Sequence, residues 1–195
     1  MGSKCSTIQL EEEDVREISK DTGFTARQIK RLYSRFSNLD RGNLGKLRRE
    51  DFFRIPELAI NPLGDRIVQS FFAFKDKDES DSAGINFKEF VRTLAYFRPI
   101  RKKNENPLNT RECKLEFAFR IYDIDGDGYI SRQELLDLLR MMVGVNINDE
   151  QLESIADRTL SEADDDQDGF ISFTEFSKMM EKTDFESKMS IRFLA

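Results

Sequence analysis

Two stretches of twelve residues constrain this chain more than any other part of it. The first reads Asp123-Ile124-Asp125-Gly126-Asp127-Gly128-Tyr129-Ile130-Ser131-Arg132-Gln133-Glu134. The second reads Asp164-Asp165-Asp166-Gln167-Asp168-Gly169-Phe170-Ile171-Ser172-Phe173-Thr174-Glu175. Both place acids at positions 1, 3, 5 and 12, Gly at 6 and Ile at 8. Carboxylates at alternate positions converge when such a loop curls, and a glycine at position 6 permits the sharp turn. The product is a cage of hard oxygens, which suits calcium with its six to eight oxygen ligands at about 2.3–2.6 Å. The expected ligands are Asp123, Asp125, Asp127, the Tyr129 carbonyl and Glu134 in one loop. In the other they are Asp164, Asp166, Asp168, the Phe170 carbonyl and Glu175. Ser131 and Ser172 stand where a ligand usually acts through water. An acidic solvated turn does not repeat this whole pattern twice, so two calcium ions are expected, with magnesium as a competitor.

Such loops need a helix on either side, and the flanks supply them. Leu115, Phe119 and Tyr122 lead into the first loop at helical spacing, and Leu135, Leu138, Leu139 and Met142 follow it. Asn148 with Gln151 reads as a helix start, after which Leu152, Ile155, Ala156, Thr159 and Leu160 keep the period. Ile130 and Ile171 are expected to pair as short strands that couple the two loops.

Two further loops repeat the pattern without its ligands. Residues 40–51 keep Asp40, Gly45 and Leu47 at positions 1, 6 and 8, but carry Gly42, Leu44 and Asp51 at 3, 5 and 12. Thr25 and Gln28 form a capping box for the helix before it, with Ile29, Leu32, Tyr33 and Phe36 on one face. Residues 78–89 keep Ile85 and Glu89, but have Ser80, Ser82 and Ala83 at 3, 5 and 6. The expected fold is therefore all-α. Four helix-loop-helix units form two lobes of paired EF-hands, two of them metal-competent, with short β-pairing between loops. The expected division is an N-terminal segment 1–21, a lobe 22–97, a linker 98–109, a lobe 110–182 and an apolar tail 183–195.

Charge follows the same division. Residues 1–109 carry 21 Lys and Arg against 17 Asp and Glu, whereas 110–182 carry 8 against 18. The acidic lobe repels nucleic acid and, without cations, itself. The chain has no His, which removes His-based zinc sites and His-dependent nucleophilic catalysis. No reactive-cysteine context or phosphate-cradling glycine loop replaces them, so an enzyme is not expected. Cys5 and Cys113 lie far apart, and a disulfide framework is not expected.

Met1-Gly2-Ser3-Lys4-Cys5-Ser6 fits the pattern for N-myristoylation of Gly2. One such chain binds a membrane only marginally, so a second signal is required. Cys5 palmitoylation is one candidate. Glu11-Glu12-Glu13-Asp14 opposes anionic lipid, which favours a membrane protein as the anchor. The expected location is cytoplasmic and peripheral to the plasma membrane, with endomembranes and nucleus as further sites. The expected partner is an amphipathic helix laid in an apolar groove. The expected groove residues are Val68, Phe71, Phe72, Leu94, Met141, Met142, Met179 and Met180; a plain core role for the methionines is equally open. The apolar tail with Phe185, Met189, Ile191, Phe193 and Leu194 is expected to act as a lid.

Five segments resemble one family. They are Asn61-Pro62-Leu63-Gly64-Asp65-Arg66-Ile67, Thr93-Leu94-Ala95-Tyr96-Phe97-Arg98-Pro99, Arg140-Met141-Met142-Val143-Gly144-Val145, Ala156-Asp157-Arg158-Thr159 and Lys188-Met189-Ser190-Ile191-Arg192-Phe193-Leu194. Together with Gly2 they resemble the calcineurin B homologous proteins over nearly the whole chain. Residues 75–84 are longer and 98–109 shorter than that family leads one to expect. The resemblance implies a myristoylated calcium-binding adaptor with metal in the third and fourth hands only. It implies, as partner, the juxtamembrane cytoplasmic helix of a sodium/proton exchanger, and so a part in pH regulation. It also implies inhibition of the phosphatase calcineurin, with its catalytic subunit as a second partner, and a role in protein transport. The alternative is the regulatory B-type component of calcineurin itself, against which the ligand-poor loop at Asp40 argues.

Overall fold

The computed structural model describes residues 10–73, 84–98, 106–143 and 147–183. Gly2 and Cys5, residues 78–83 of the second loop, most of the linker and the tail from 184 lie outside the described residues.

The first helix, α1 (Glu12–Thr22), falls within the segment expected to be only an N-terminal leader. Glu11 and Asp14 form its capping box, three acids complement the N-terminal dipole, and Gly23 closes it at φ 68°. Val15 and Ile18 bury one stripe against α2 (Ala26–Leu39) and α6 (Phe87–Ala95). The residues that repel lipid thus serve as a helix start. In α2, Thr25 accepts from the Gln28 N–H, and Ile29, Leu32 and Phe36 are buried, as the capping box and the 3.6-residue spacing predict.

After the first loop, β1 (Lys46–Leu47) is followed by the short helices α3 (Arg49–Phe52) and α4 (Pro56–Ala59), then α5 (Gly64–Ala73). The strand β2 (Ile85–Asn86) precedes α6 and pairs antiparallel with β1, Leu47 opposite Ile85. The second half repeats the plan with α7 (Arg111–Tyr122), β3 (Tyr129–Ser131), α8 (Arg132–Val143), α9 (Asp149–Ala163), β4 (Phe170–Ser172) and α10 (Phe173–Glu181). Ile130 lies opposite Ile171, so the position-8 residues pair in both halves. The fold is mostly helical, with two short antiparallel strand pairs.

Two apolar cores result. The first is rich in phenylalanine: Phe24, Phe36, Phe52, Phe71, Phe87, Phe90 and Phe97 are all buried in it. The second gathers Leu115, Phe119, Ile130, Leu135, Leu152, Ile171 and Phe176. The helix α7 belongs to both. Leu115, Ala118 and Phe119 face the second core, but Phe117, fully buried, faces the first. Its ring meets Phe97 edge-on at 4.7 Å and Phe71 at 6.0 Å. The two halves are therefore joined through a shared helix, not merely through a linker.

The N-terminal part of the expected groove is corrected by this packing. Val68, Phe71 and Leu94 are core residues, at most 8% exposed, and Phe72 packs half-buried against the same cluster. A phenylalanine-rich core needs these side chains for its own closure. In the second half, Met179 and Met180 are half-buried against the core, whereas Met141 and Met142 are 44% and 53% exposed.

Truncation of Phe117 to alanine is expected to cost about 3–5 kcal/mol, the usual range for a buried phenylalanine. Amide exchange should show lowered protection in α5 and α6 as well as α7. Loss confined to the second half would refute the shared-core assignment.

Candidate metal centre

The two acidic loops are held curled by their own backbone. At position 4 the chain is left-handed in both, through Gly126 (φ 78°) and Gln167 (φ 62°). It is left-handed again at position 6, through Gly128 (φ 92°) and Gly169 (φ 88°). A Cβ is strained in that region, which explains Gly at position 6. The curl turns N–H groups inward, where the carboxylates accept them. Asp123 accepts from Gly126 N–H at 2.7 Å and Gly128 N–H at 3.1 Å. Asp164 accepts from Asp168 N–H at 3.2 Å and Gly169 N–H at 2.9 Å. Asp127 and Asp168 each accept the N–H two residues on, from Tyr129 and Phe170, at 2.8 Å.

The position-12 glutamates reach back from the first turn of α8 and α10. Glu134 accepts from Ile124 N–H at 2.6 Å through Oε1, and from both the N–H and the hydroxyl of Ser131 at 2.7 Å through Oε2. Glu175 accepts from Asp165 N–H at 2.8 Å and likewise from Ser172. Ser131 and Ser172, expected as indirect metal contacts, thus anchor the closing glutamates in this structure.

Two groups of acids converge. Oxygens of Asp123, Asp125 and Glu134 lie within 4.8 Å of one another, as do those of Asp164, Asp166 and Asp168. Asp127 and Glu175, expected as ligands too, belong to the same loops but not to those groups, being held by the bonds above. Tyr129 and Phe170 bring their carbonyls to position 7 while their rings meet outside, 6.0 Å apart. Hard carboxylate oxygens with no nitrogen or sulfur among them fit calcium or magnesium rather than zinc.

The electrostatics show crowding of like charge. Burial pushes the Asp123 carboxyl above the ordinary aspartate value, with Glu134 and Asp127 adding to the rise, against the two glycine N–H bonds. At Asp166 the Asp168 N–H pulls downward, but burial together with Asp168, Glu175 and Asp164 outweighs it, and the net shift is upward. For Glu134, burial pushes up, yet the Ser131, Ile124 and Asp125 donors hold it below the usual range. The Ser172 hydroxyl and N–H hold Glu175 low in the same way. One closing carboxylate stays ionised while its neighbour at position 1 gains from a cation.

The ligand-poor loop 40–51 keeps the same curl. Asn43 (φ 48°) and Gly45 (φ 71°) are left-handed at positions 4 and 6. Buried Asp40 accepts from Leu44 N–H at 3.0 Å and Gly45 N–H at 2.7 Å. At position 12, Asp51 pairs with Arg54 at 3.1 Å. An internal cation occupies the closing carboxylate here. In the loop 78–89, Glu89 is buried and accepts from Asn86 N–H at 2.7 Å. Its Oε1 has no hydrogen-bond partner among the described residues.

Sequence reasoning passed over Arg66 and Lys114, both buried. Lys114 Nζ donates to the Tyr96 carbonyl at 2.5 Å and the Arg98 carbonyl at 2.7 Å, just beyond α6. Arg66, on α5, donates to carbonyls beside the Asp123 loop. Charged residues inside helices read as solvated faces, and nothing local in the sequence signals that these two face carbonyls of the other half.

Replacing Glu134 or Glu175 by glutamine is expected to weaken calcium binding in that loop at least about tenfold, roughly 1.4 kcal/mol. Asp40→Asn should leave the calcium isotherm unchanged. Titration calorimetry decides, and unaltered affinity in both glutamine variants would show that the ligand set is wrong. Acidification should weaken calcium binding too. A cation binds the ionised carboxylates, and Asp123 and Asp166 take up protons at a higher pH than ordinary aspartates, so affinity should fall as pH drops toward their range. A pH-independent affinity down to pH 4.5 or so would contradict that ordering.

Comparison with known proteins agrees with this geometry. Residues 112–181 match the EF-hand domain pair. The calcineurin B regulatory chain of Naegleria gruberi is 46% identical over 192 residues, covering 98% of this chain and 99% of that protein. The type 1 calcineurin B chain of Dictyostelium discoideum is 42% identical, covering 98% of each protein. The calcineurin B chain of Candida glabrata is 39% identical, covering 99% of each. With end-to-end similarity at this level and calcium-type loops in the same chain, the protein belongs to the calcineurin B family of EF-hand proteins.

Proposed function

We propose that this protein is the calcium-binding regulatory subunit of a calcineurin-type phosphatase, and not itself an enzyme. The observation that carries the reading is 46% identity to a calcineurin B protein across 98% of the chain. This favours the alternative raised from sequence over the exchanger-cofactor reading. The objection drawn from the Asp40 loop loses its force once that loop is seen to keep its curl and strand pairing without ligands. Calcium in the loops 123–134 and 164–175, one ion each, then governs the second half of the molecule.

The partner is a helix of the phosphatase catalytic subunit. Met141, Met142 and Ile155 support a docking surface on α8 and α9, being exposed apolar side chains on helices packed against each other. Flexible thioethers adapt to an apolar partner face. Myristoylation of Gly2 and a cytoplasmic, membrane-peripheral location complete the reading, on the strength of the N-terminal pattern.

Affinity capture with the full chain from its native cells, with calcium and with chelator, tests this. Recovery of a phosphatase catalytic subunit at near-equal stoichiometry is expected. An exchanger tail as the stoichiometric partner, with no phosphatase, would overturn the reading in favour of the exchanger cofactor. Met141→Ala with Met142→Ala is expected to reduce capture about tenfold or more, as loss of interface anchors does. Undiminished capture would place the docking surface elsewhere.

A further inference from the structure

Arg66 is only 6% exposed, yet it sits on α5 in the first half of the molecule. Its guanidinium crosses to the end of α7 in the second half. Nε donates to the Ile121 carbonyl at 3.1 Å, and Nη2 to the carbonyls of Arg120 at 3.2 Å and Asp123 at 2.9 Å. Nη1 is fixed by Gln69 Oε1 at 2.7 Å. The last carbonyls of a helix have no partner within the helix, and a cation there is favoured by the helix dipole. Asp123 is also position 1 of the acidic loop, so a single side chain holds both the end of the helix and the entry of the cage.

Two features separate this from a surface contact. The planar fork of arginine, with five donors in fixed directions, matches several carbonyls in a way that the ammonium of lysine does not. The side chain also lines a cavity of about 500 Å³ together with Ser70, Phe119, Asp123, Asp125 and Gly128, so it forms one wall of the space beside the loop. From the other direction, Lys114 of α7 binds the carbonyls that follow α6. Each half thus contributes a buried cation to a helix end of the other.

We propose that Arg66 is a positioning residue for the 123–134 calcium loop, coupling occupancy of that loop to α5 in the half of the molecule that contains the ligand-poor 40–51 loop. This rests on the reading that 123–134 binds calcium. Charge and geometry act in opposite senses at this position. As a cation near Asp123 and Glu134, Arg66 opposes calcium by simple repulsion. As a fork on three carbonyls, it fixes the loop entry and favours calcium. Geometry outweighs repulsion in the proposal, because the guanidinium is already committed to backbone acceptors while its charge is shared with the surrounding acids.

The test compares full-length wild type, Arg66→Lys and Arg66→Met, with Glu175→Gln added to each so that calorimetry reads the 123–134 loop alone. Calcium affinity is expected to fall at least about fivefold in both variants, a usual size for site coupling. Hydrogen exchange supplies the second readout. With Arg66 intact, calcium should slow exchange in α5 and α8; in both variants the slowing should persist in α8 and vanish in α5. Circular dichroism of Arg66→Lys guards against unfolding. A rise in affinity in Arg66→Met with no change in Arg66→Lys would show a purely electrostatic role and overturn the proposal, as would calcium-dependent protection of α5 that survives both changes. Absence of calcium binding in the control with Arg66 intact would instead strike the metal assignment of the loop itself.

Discussion

The structure depends on α7 serving two cores at once. A helix that must bury Phe117 on one side and Leu115 with Phe119 on another cannot present a clean polar face. Burial of one such aromatic side chain stabilises by roughly 1.5–3 kcal/mol, and here that energy is spent on joining halves that a linker alone would leave independent. The same helix delivers Asp123 to the mouth of its loop. Its position is fixed by apolar packing along its length and by Arg66 at its end, so the acidic loop grows from a rigid base.

The acidic loops illustrate how like charges can be gathered without collapse of the fold. Three carboxylates with oxygens within 4.8 Å of one another repel by roughly 3 kcal/mol per pair at an effective dielectric constant near 20. Inward-facing N–H groups offset this, since hydrogen bonds to charged acceptors contribute about 1.5–3 kcal/mol each. Glu134 with four donors sits below its ordinary range, whereas Asp123 with two sits above it. The balance leaves position 1 as the carboxyl with most to gain from a cation. A preformed backbone also means that little loop entropy has to be lost on binding.

Much of this was legible from spacing alone. The acids at 1, 3, 5 and 12, the position-8 pairs Leu47 with Ile85 and Ile130 with Ile171, and the Thr25 and Asn148 caps all follow from local rules. What could not be read is non-local. Phe117 and Phe119 lie two residues apart on one helix, and only the fold assigns them to different cores. Val68, Phe71 and Leu94 look the same whether they line a groove or fill a core, because both demand an apolar stripe. Arg66 and Lys114 read as solvent-facing until the carbonyls of the opposite half arrive beside them. The choice between an exchanger cofactor and a phosphatase subunit was similarly beyond the loops, since both use the same cage.

The ligand-poor loop explains why calcium dependence is confined to one half. Loop 40–51 holds the same left-handed residues at positions 4 and 6, and its position-1 carboxylate takes the same N–H bond from position 6. Its closing acid is answered by Arg54, a cation carried in the chain, where Glu134 and Glu175 wait for one from solution. Below it, Phe36, Phe52, Phe87 and Phe90 interlock at 5.4–6.3 Å between ring centroids. That core does not need a metal to close. A half stabilised by its own aromatic packing gives the acidic half a fixed surface to work against, and α7, which belongs to both, is the element through which a change in one must reach the other.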